Sequence, residues 1–224
     1  MRLSLALLAV LAAFAAQPAC AQVMVTETVE ETVYFSQGGS ERFVASAPAQ
    51  VPQGLASFGP FRVIDPTRAA LVDLTDSRSP AQFEAMLKAF PGISLIEMLD
   101  CPGTEDDRAN LRLGRMIHLR GITTHVPTGG SVRSGGVELF LAGRQRIADP
   151  GAEFAVHSWA DEDGRQAADY PESAPENRAY IDYYREMGMS AAQAKAFYAM
   201  TNSVPFEDAK WLGAAEMARW VPLN

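Results

Sequence analysis

Between Ala69 and Val126 short apolar runs alternate with longer amphipathic ones, and this alternation constrains the fold more than any other feature. Ala69 to Leu74 reads as a buried strand, Ser79 to Ala89 as a helix capped by Ser79 with Pro80 at its first position, and Ile93 to Leu99 as a second strand. Glu105 to Arg120 carries a helical pattern ended by Gly121, and Ile122 to Val126 makes a third strand. Strands separated by helices close through right-handed crossovers, so the chain is expected to be α/β with a mostly parallel sheet. Beyond Val126 the pattern predicts a helix over Val137 to Ala142 and a short strand over Glu153 to His157. An acidic loop around Asp161 to Pro175 follows, then helices over Pro175 to Met187 and Ser190 to Thr201, and a last helical turn at Glu207 to Leu212. No internal repeat is visible in the sequence.

The N-terminus reads differently. Met1 and Arg2 precede an apolar run from Leu3 to Ala16, and Ala19-Cys20-Ala21 forms a small-x-small site before Gln22. That is the pattern of a cleaved export signal, with cleavage expected after Ala21 and the mature protein periplasmic or secreted. The run falls short of the roughly 20 residues a membrane span needs, so no stable membrane insertion is expected after cleavage. Lipidation at Cys20 is disfavoured, because Gln17-Pro18-Ala19 lacks the usual branched apolar residue. Three segments result: a signal peptide at 1–21, an arm and linker at 22–60, and a compact domain at 61–224. Within the arm, Val23 to Phe35 alternates as an extended strand would, and Ala45 to Gly59 is rich in Ala, Pro and Gln.

Cleavage would leave Cys101 as the one cysteine, so the core has to hold without an internal disulfide. With 48% hydrophobic and 21% charged residues, a domain of this length can bury an ordinary globular core. A net charge of -8 argues against nucleic acid or anionic lipid as the main partner. Three dispersed histidines show no metal-ligand spacing, so neither a metal nor a cofactor is expected.

Three positions could carry chemistry, because each lies where a strand hands over to a turn or helix. Cys101-Pro102-Gly103-Thr104 follows the second strand, and a Pro-Gly turn there can aim backbone N–H groups outward as an oxyanion hole requires. The plain alternative is a strand-to-helix turn with Thr104 as helix cap. Ser134 lies between Gly129-Gly130 and Gly135-Gly136 at the start of an apolar helix, where the glycines admit a substrate carbonyl; equally, it could be a simple N-cap. His157 ends the Phe154-Ala155-Val156 run, placed to meet a serine from a neighbouring crossover or to serve as a hydrogen-bonded structural histidine. His118 and His125 are weaker candidates, one in a helix and one in a short strand. Cys101 reads as a buried small side chain.

The order of these parts over roughly Ala69 to Leu223 resembles the Clp-type serine peptidases and their crotonase-fold relatives, particularly the exported bacterial branch. The likeness lies in the Pro102-Gly103 turn, the long helix, the Ser134-Gly135-Gly136 segment with Leu141-Ala142-Gly143, Arg146 in a turn, the strand to His157 and the closing Glu207 to Gly213. It implies a spiral of ββα units with Ser134 as nucleophile and His157 as general base. Gly103, Thr104 and Gly135 would supply the oxyanion hole. The resemblance puts an acidic residue shortly before the final helix, where this chain has Thr201-Asn202; Asn202 could orient the histidine, with Asp161, Asp163 and Asp208 as substitutes. Thr104 and Arg133 stand where the family has small residues. Such relatives assemble as rings or trimers, and the Tyr180-Ile181-Asp182-Tyr183-Tyr184 helix offers an aromatic face either for a homo-oligomer or for the core. The expected activity is hydrolysis of a peptide or small acyl substrate, the alternative a ClpP-like binding or assembly protein without catalysis. Chemistry on coenzyme A thioesters is disfavoured for an exported chain lacking a basic pocket.

Overall fold

The computed structural model describes residues 47–224; the signal peptide expected at 1–21 and the strand or arm expected at Val23 to Phe35 lie outside the described residues. Among the described residues, ten strands and six α-helices follow in chain order. The first three strands, β1 (Ala56–Phe58), β2 (Phe61–Asp65) and β3 (Arg68–Leu71), form an antiparallel meander. β4 (Leu95–Met98), β6 (Thr123–Val126) and β8 (Arg146–Ala148) then add in parallel, giving a six-stranded sheet of order β1-β2-β3-β4-β6-β8. A second sheet has the order β10-β9-β7-β5, from β10 (Lys210–Gly213), β9 (Glu153–Val156), β7 (Ser131–Arg133) and β5 (Asp100–Cys101). Its last three strands are mutually parallel.

The two sheets are built in step. β4 leads to β5 and then α2 (Asp107–Leu119); β6 leads to β7 and α3 (Gly135–Leu141); β8 leads to β9 and, after the acidic loop, α4 (Pro175–Glu186). Each turn lays one strand in the large sheet and one in the small sheet before a helix returns the chain, which is a spiral of ββα units. The turn before these is abbreviated: β3 is followed by a single parallel bridge from Thr75 to Thr104, then by α1 (Ser79–Ala89). Helices α1, α2 and α3 pack side by side. Phe83 of α1 meets Phe61 of β2 at 5.6 Å between ring centroids, and Phe140 of α3 meets Phe154 of β9 at 4.8 Å. All four rings are fully buried, each worth about 1.5–3 kcal/mol of transfer from water.

Several boundaries depart from the sequence reading. Ordered structure precedes the expected start at Phe61, because β1 closes the meander and the Ala49 N–H donates to the Gly129 carbonyl at 3.0 Å. Glu207 to Leu212, expected as a helical turn, instead leads into β10, which pairs antiparallel with β9 from Lys210–Val156 to Gly213–Glu153. Covering an otherwise open sheet edge outweighs a local helical preference. Arg146, expected in a turn, opens β8. Asp106 rather than Thr104 caps α2, accepting from the Ala109 N–H at 2.9 Å. Arg78 occupies the cap position of α1, while the Ser79 hydroxyl exchanges hydrogen bonds with Asp76.

Candidate active site

β7 ends at Arg133 and α3 begins at Gly135, so Ser134 alone makes the strand-to-helix turn. Its φ of 48° and ψ of -129° make it the single non-glycine with positive φ among the described residues. A side chain held there costs about 1–3 kcal/mol and persists only where its surroundings fix it. Here the Ser134 N–H donates to the Ala155 carbonyl of β9 at 2.9 Å, and its own carbonyl accepts from Val137 at 2.9 Å. Asn110 of α2 donates to the Gly135 carbonyl at 2.7 Å while accepting from the Thr75 hydroxyl at 2.9 Å. The two glycines are needed for the close approach: a Cβ on Gly135 would fall 2.6 Å from the Thr104 methyl, and one on Gly136 3.0 Å from the Cys101 Cβ.

His157 follows β9 and is 9% exposed. Its Nδ1 lies 2.8 Å from the Ser158 carbonyl oxygen, which can only accept, so Nδ1 carries the proton. In the neutral ring Nε2 is then a lone-pair acceptor, and it is buried without a hydrogen-bond partner. Burial pushes the His157 pKa below its ordinary value, against the opposing pull of the Ser158 carbonyl and the Glu207 charge. The edge of Phe206 packs on the ring at 5.1 Å between centroids. The other two histidines are engaged elsewhere, His118 with the Ala142 carbonyl and His125 with Asp149.

Ser134 and His157 line one small cavity of about 40 Å³, together with Gly135, Glu138, Asn202 and the rings of Trp159, Tyr180, Tyr184 and Tyr198. They share the cavity without sharing a hydrogen bond, since Nε2 is unpaired. Asn202 reaches the same wall, but its amide N–H groups donate to the Tyr198 carbonyl at 2.8 Å and the Thr201 hydroxyl at 3.1 Å, leaving its Oδ1 buried and unpaired. The partner that orients the histidine is thus the Ser158 carbonyl, not Asn202. Nor is it one of the substitutes: Asp161 and Asp163 pair with Arg165, and the Asp208 N–H closes a turn onto the Pro205 carbonyl. Of the expected oxyanion residues, Gly135 lines the cavity, whereas Gly103 and Thr104 do not. The Gly103 carbonyl accepts from the Thr75 N–H at 3.1 Å, and the Thr104 hydroxyl is held between the Thr75 carbonyl and Asp106. Arg133 turns away from the site to bond Asp100 and Ser131, each at 2.9 Å.

Glu138 escaped the sequence reading. It lies one helical turn beyond Ser134, 6% exposed, and accepts from the Tyr184 hydroxyl at 2.7 Å. Burial pushes its pKa up to about 7, with the tyrosine bond opposing. The signal was a lone acid inside Val137-Glu138-Leu139-Phe140-Leu141, an otherwise apolar helix. The tyrosines of α4 settle a second alternative: Tyr183 and Tyr184 are buried, and the Tyr183 hydroxyl donates to the Glu138 carbonyl at 2.6 Å. That part of the aromatic face belongs to the core and is not open to a second subunit.

No protein-family model matches the chain, and no curated protein matches it. Solved structures do. A membrane-bound stomatin-specific protease mutant in complex with a substrate peptide is 18% identical, with a TM-score of 0.44 over 66% of this chain and 71% of that one. A ClpP1 mutant from Listeria monocytogenes is 19% identical, with a TM-score of 0.47 over 70% and 88%. An enoyl-CoA hydratase from Shewanella pealeana is 11% identical, with a TM-score of 0.44 over 73% and 66%. What the chain's own topology shows is an α/β fold in which two sheets of mostly parallel strands are built together as a ββα spiral.

Proposed function

We propose that the protein is an exported serine hydrolase, peptidase-like in its chemistry, with Ser134 as nucleophile and His157 as general base. One observation carries this reading: the single strained non-glycine among the described residues is a serine, and its cavity holds a histidine whose unpaired Nε2 has the tautomer of a base. In the reaction the Ser134 Oγ bonds to the substrate carbonyl carbon while its proton passes to Nε2. The same proton goes to the leaving group as the tetrahedral intermediate collapses, and water then releases the acyl group from Ser134 by the reverse sequence. The Ser158 carbonyl stabilises the imidazolium by its dipole rather than by a full charge. The Gly135 N–H is the oxyanion donor on the cavity side. The missing Ser134–His157 hydrogen bond would have to form around bound substrate, since such bonds commonly tighten only in the complex.

That missing bond is also what favours a second reading, a binding protein that keeps the fold without turnover. A fluorophosphonate serine-hydrolase probe decides between them. Labelling of the purified protein that disappears in both Ser134→Ala and His157→Ala supports the hydrolase; absence of labelling in the well-folded wild type supports the binding protein. Export belongs to the same proposal and predicts a mature protein from the periplasm or medium whose N-terminal sequence begins at Gln22.

A further inference from the structure

The hydrogen-bond census of the cavity wall is lopsided. Apart from the Ser134 hydroxyl, its side-chain donors are used: the Trp159 indole N–H donates to the Tyr198 hydroxyl at 2.7 Å, the Tyr198 hydroxyl to Asn177, and the Tyr184 hydroxyl to Glu138. The Tyr180 hydroxyl is engaged with Asp107. Both Asn202 amide N–H groups are taken, and because the Tyr198 carbonyl can only accept, the assignment of Asn202 nitrogen and oxygen is fixed. What is left unpaired on the residues of the wall is acceptor capacity: Asn202 Oδ1 and His157 Nε2 are buried without a donor, and the carboxylate of Glu138 belongs to the same wall. No lysine or arginine lines it. A buried acceptor without a donor is costly, and aromatic faces add attraction for a cation.

We propose that this cavity recognises the primary ammonium group of an α- or β-amino acyl compound, held by Glu138, Asn202 Oδ1 and the tyrosine faces. Three N–H donors on one cation satisfy such a set and also complement the carboxylate charge and the ring faces, which a neutral N–H donor does not. The spacing fixes the class further, on the hydrolase reading that puts the reacting carbonyl at Ser134. Glu138 follows Ser134 by four residues, a backbone rise of about 6 Å, so a short α- or β-amino acyl group is the size class that matches the site. A lysine or arginine side chain is too long for a cavity of about 40 Å³ lying one turn from the serine.

The test needs no turnover. Ser134→Ala protein is titrated by NMR with glycinamide and with N-acetylglycinamide, which differ in the ammonium. Glycinamide is expected to bind about tenfold tighter or more, the worth of a charge-assisted hydrogen bond. Adding Glu138→Gln should bring the ratio to about one. Equal binding of the two amides, no binding of glycinamide, or a preference that survives Glu138→Gln would each overturn the proposal. Should Glu138→Gln fail to fold, Asn202→Ala decides in the same way: a reduced preference supports the ammonium site and an unchanged one sinks it. Failure of the hydrolase reading would show separately, in the fluorophosphonate assay, which involves no amine.

Discussion

In the six-stranded sheet polar side chains are paired: the buried Thr124 hydroxyl donates to the Phe140 carbonyl at 2.8 Å, and Arg68 bonds Glu97 at 2.9 Å. No strand of that sheet carries a buried side-chain polar atom without a partner among the described residues. The four-stranded sheet is built otherwise. Arg133 of β7 leaves Nε unpaired, His157 at the end of β9 leaves Nε2 unpaired, and the strained Ser134 stands between these strands and α3. Unsatisfied polarity and backbone strain persist only where a structure is held together by something else. The large sheet and its helices supply that stability, and the small sheet carries the strain and the unpaired polar atoms on which the proposed hydrolase site rests.

Five experiments test this division, taken from the largest expected effect. His157→Gln should slow fluorophosphonate labelling about a thousandfold while shifting stability by less than about 1 kcal/mol. In the wild type the labelling rate should fall with pH only below the ordinary histidine value of 6.5, because burial depresses the His157 pKa. A midpoint above that value would contradict the buried neutral base. Phe83→Ala, beneath the large sheet, should do the opposite, costing about 3–5 kcal/mol in denaturant unfolding while the protein that remains folded labels at the wild-type rate.

Glu138→Gln separates burial from charge. The folded-state pKa is raised from 4.5 to about 7, so the folded protein binds the extra proton and the carboxyl's contribution is lost as pH rises through that window. The glutamine variant should therefore match the wild type in acid and exceed its stability by about 3 kcal/mol above neutrality, as read from melts across pH. A constant difference at all pH values would mean that Glu138 ionises as an exposed acid does. Smallest is Ser134→Gly, which should raise stability by about 1 kcal/mol through release of strain while abolishing labelling. A loss of stability would mean that the side chain is held comfortably where it is.

Sequence made the large sheet legible and the small one obscure. β3, β4 and β6 show as apolar runs, and β9 announces itself through Phe154-Ala155-Val156. β5 and β7 are two and three residues long, and Asp100-Cys101 and Ser131-Val132-Arg133 read as turns because pairing with distant strands, not local pattern, makes them strands. For the same reason the spiral of ββα units was expected through the family resemblance and not from local pattern. Ser134 and His157, singled out from their places at strand ends, do line one cavity. The Ser158 carbonyl was not visible in the sequence, since a backbone acceptor has no residue type to betray it. Asn202 was visible, but its amide faces the Tyr198 carbonyl, a contact set by the end of the helix Ala191–Thr201.

Cys101 lies directly beneath the serine turn, close enough that Gly136 could not carry a Cβ without crowding it. It is the sole cysteine among the described residues, is 1% exposed, and burial drives its thiol pKa far above the ordinary value. A thiol reagent can reach it only when the packing around β5 opens, so the rate of its modification is a stopwatch for local breathing beneath the serine turn. Ligand in the cavity should slow that clock, giving a readout of occupancy that requires neither a substrate nor a chemical step.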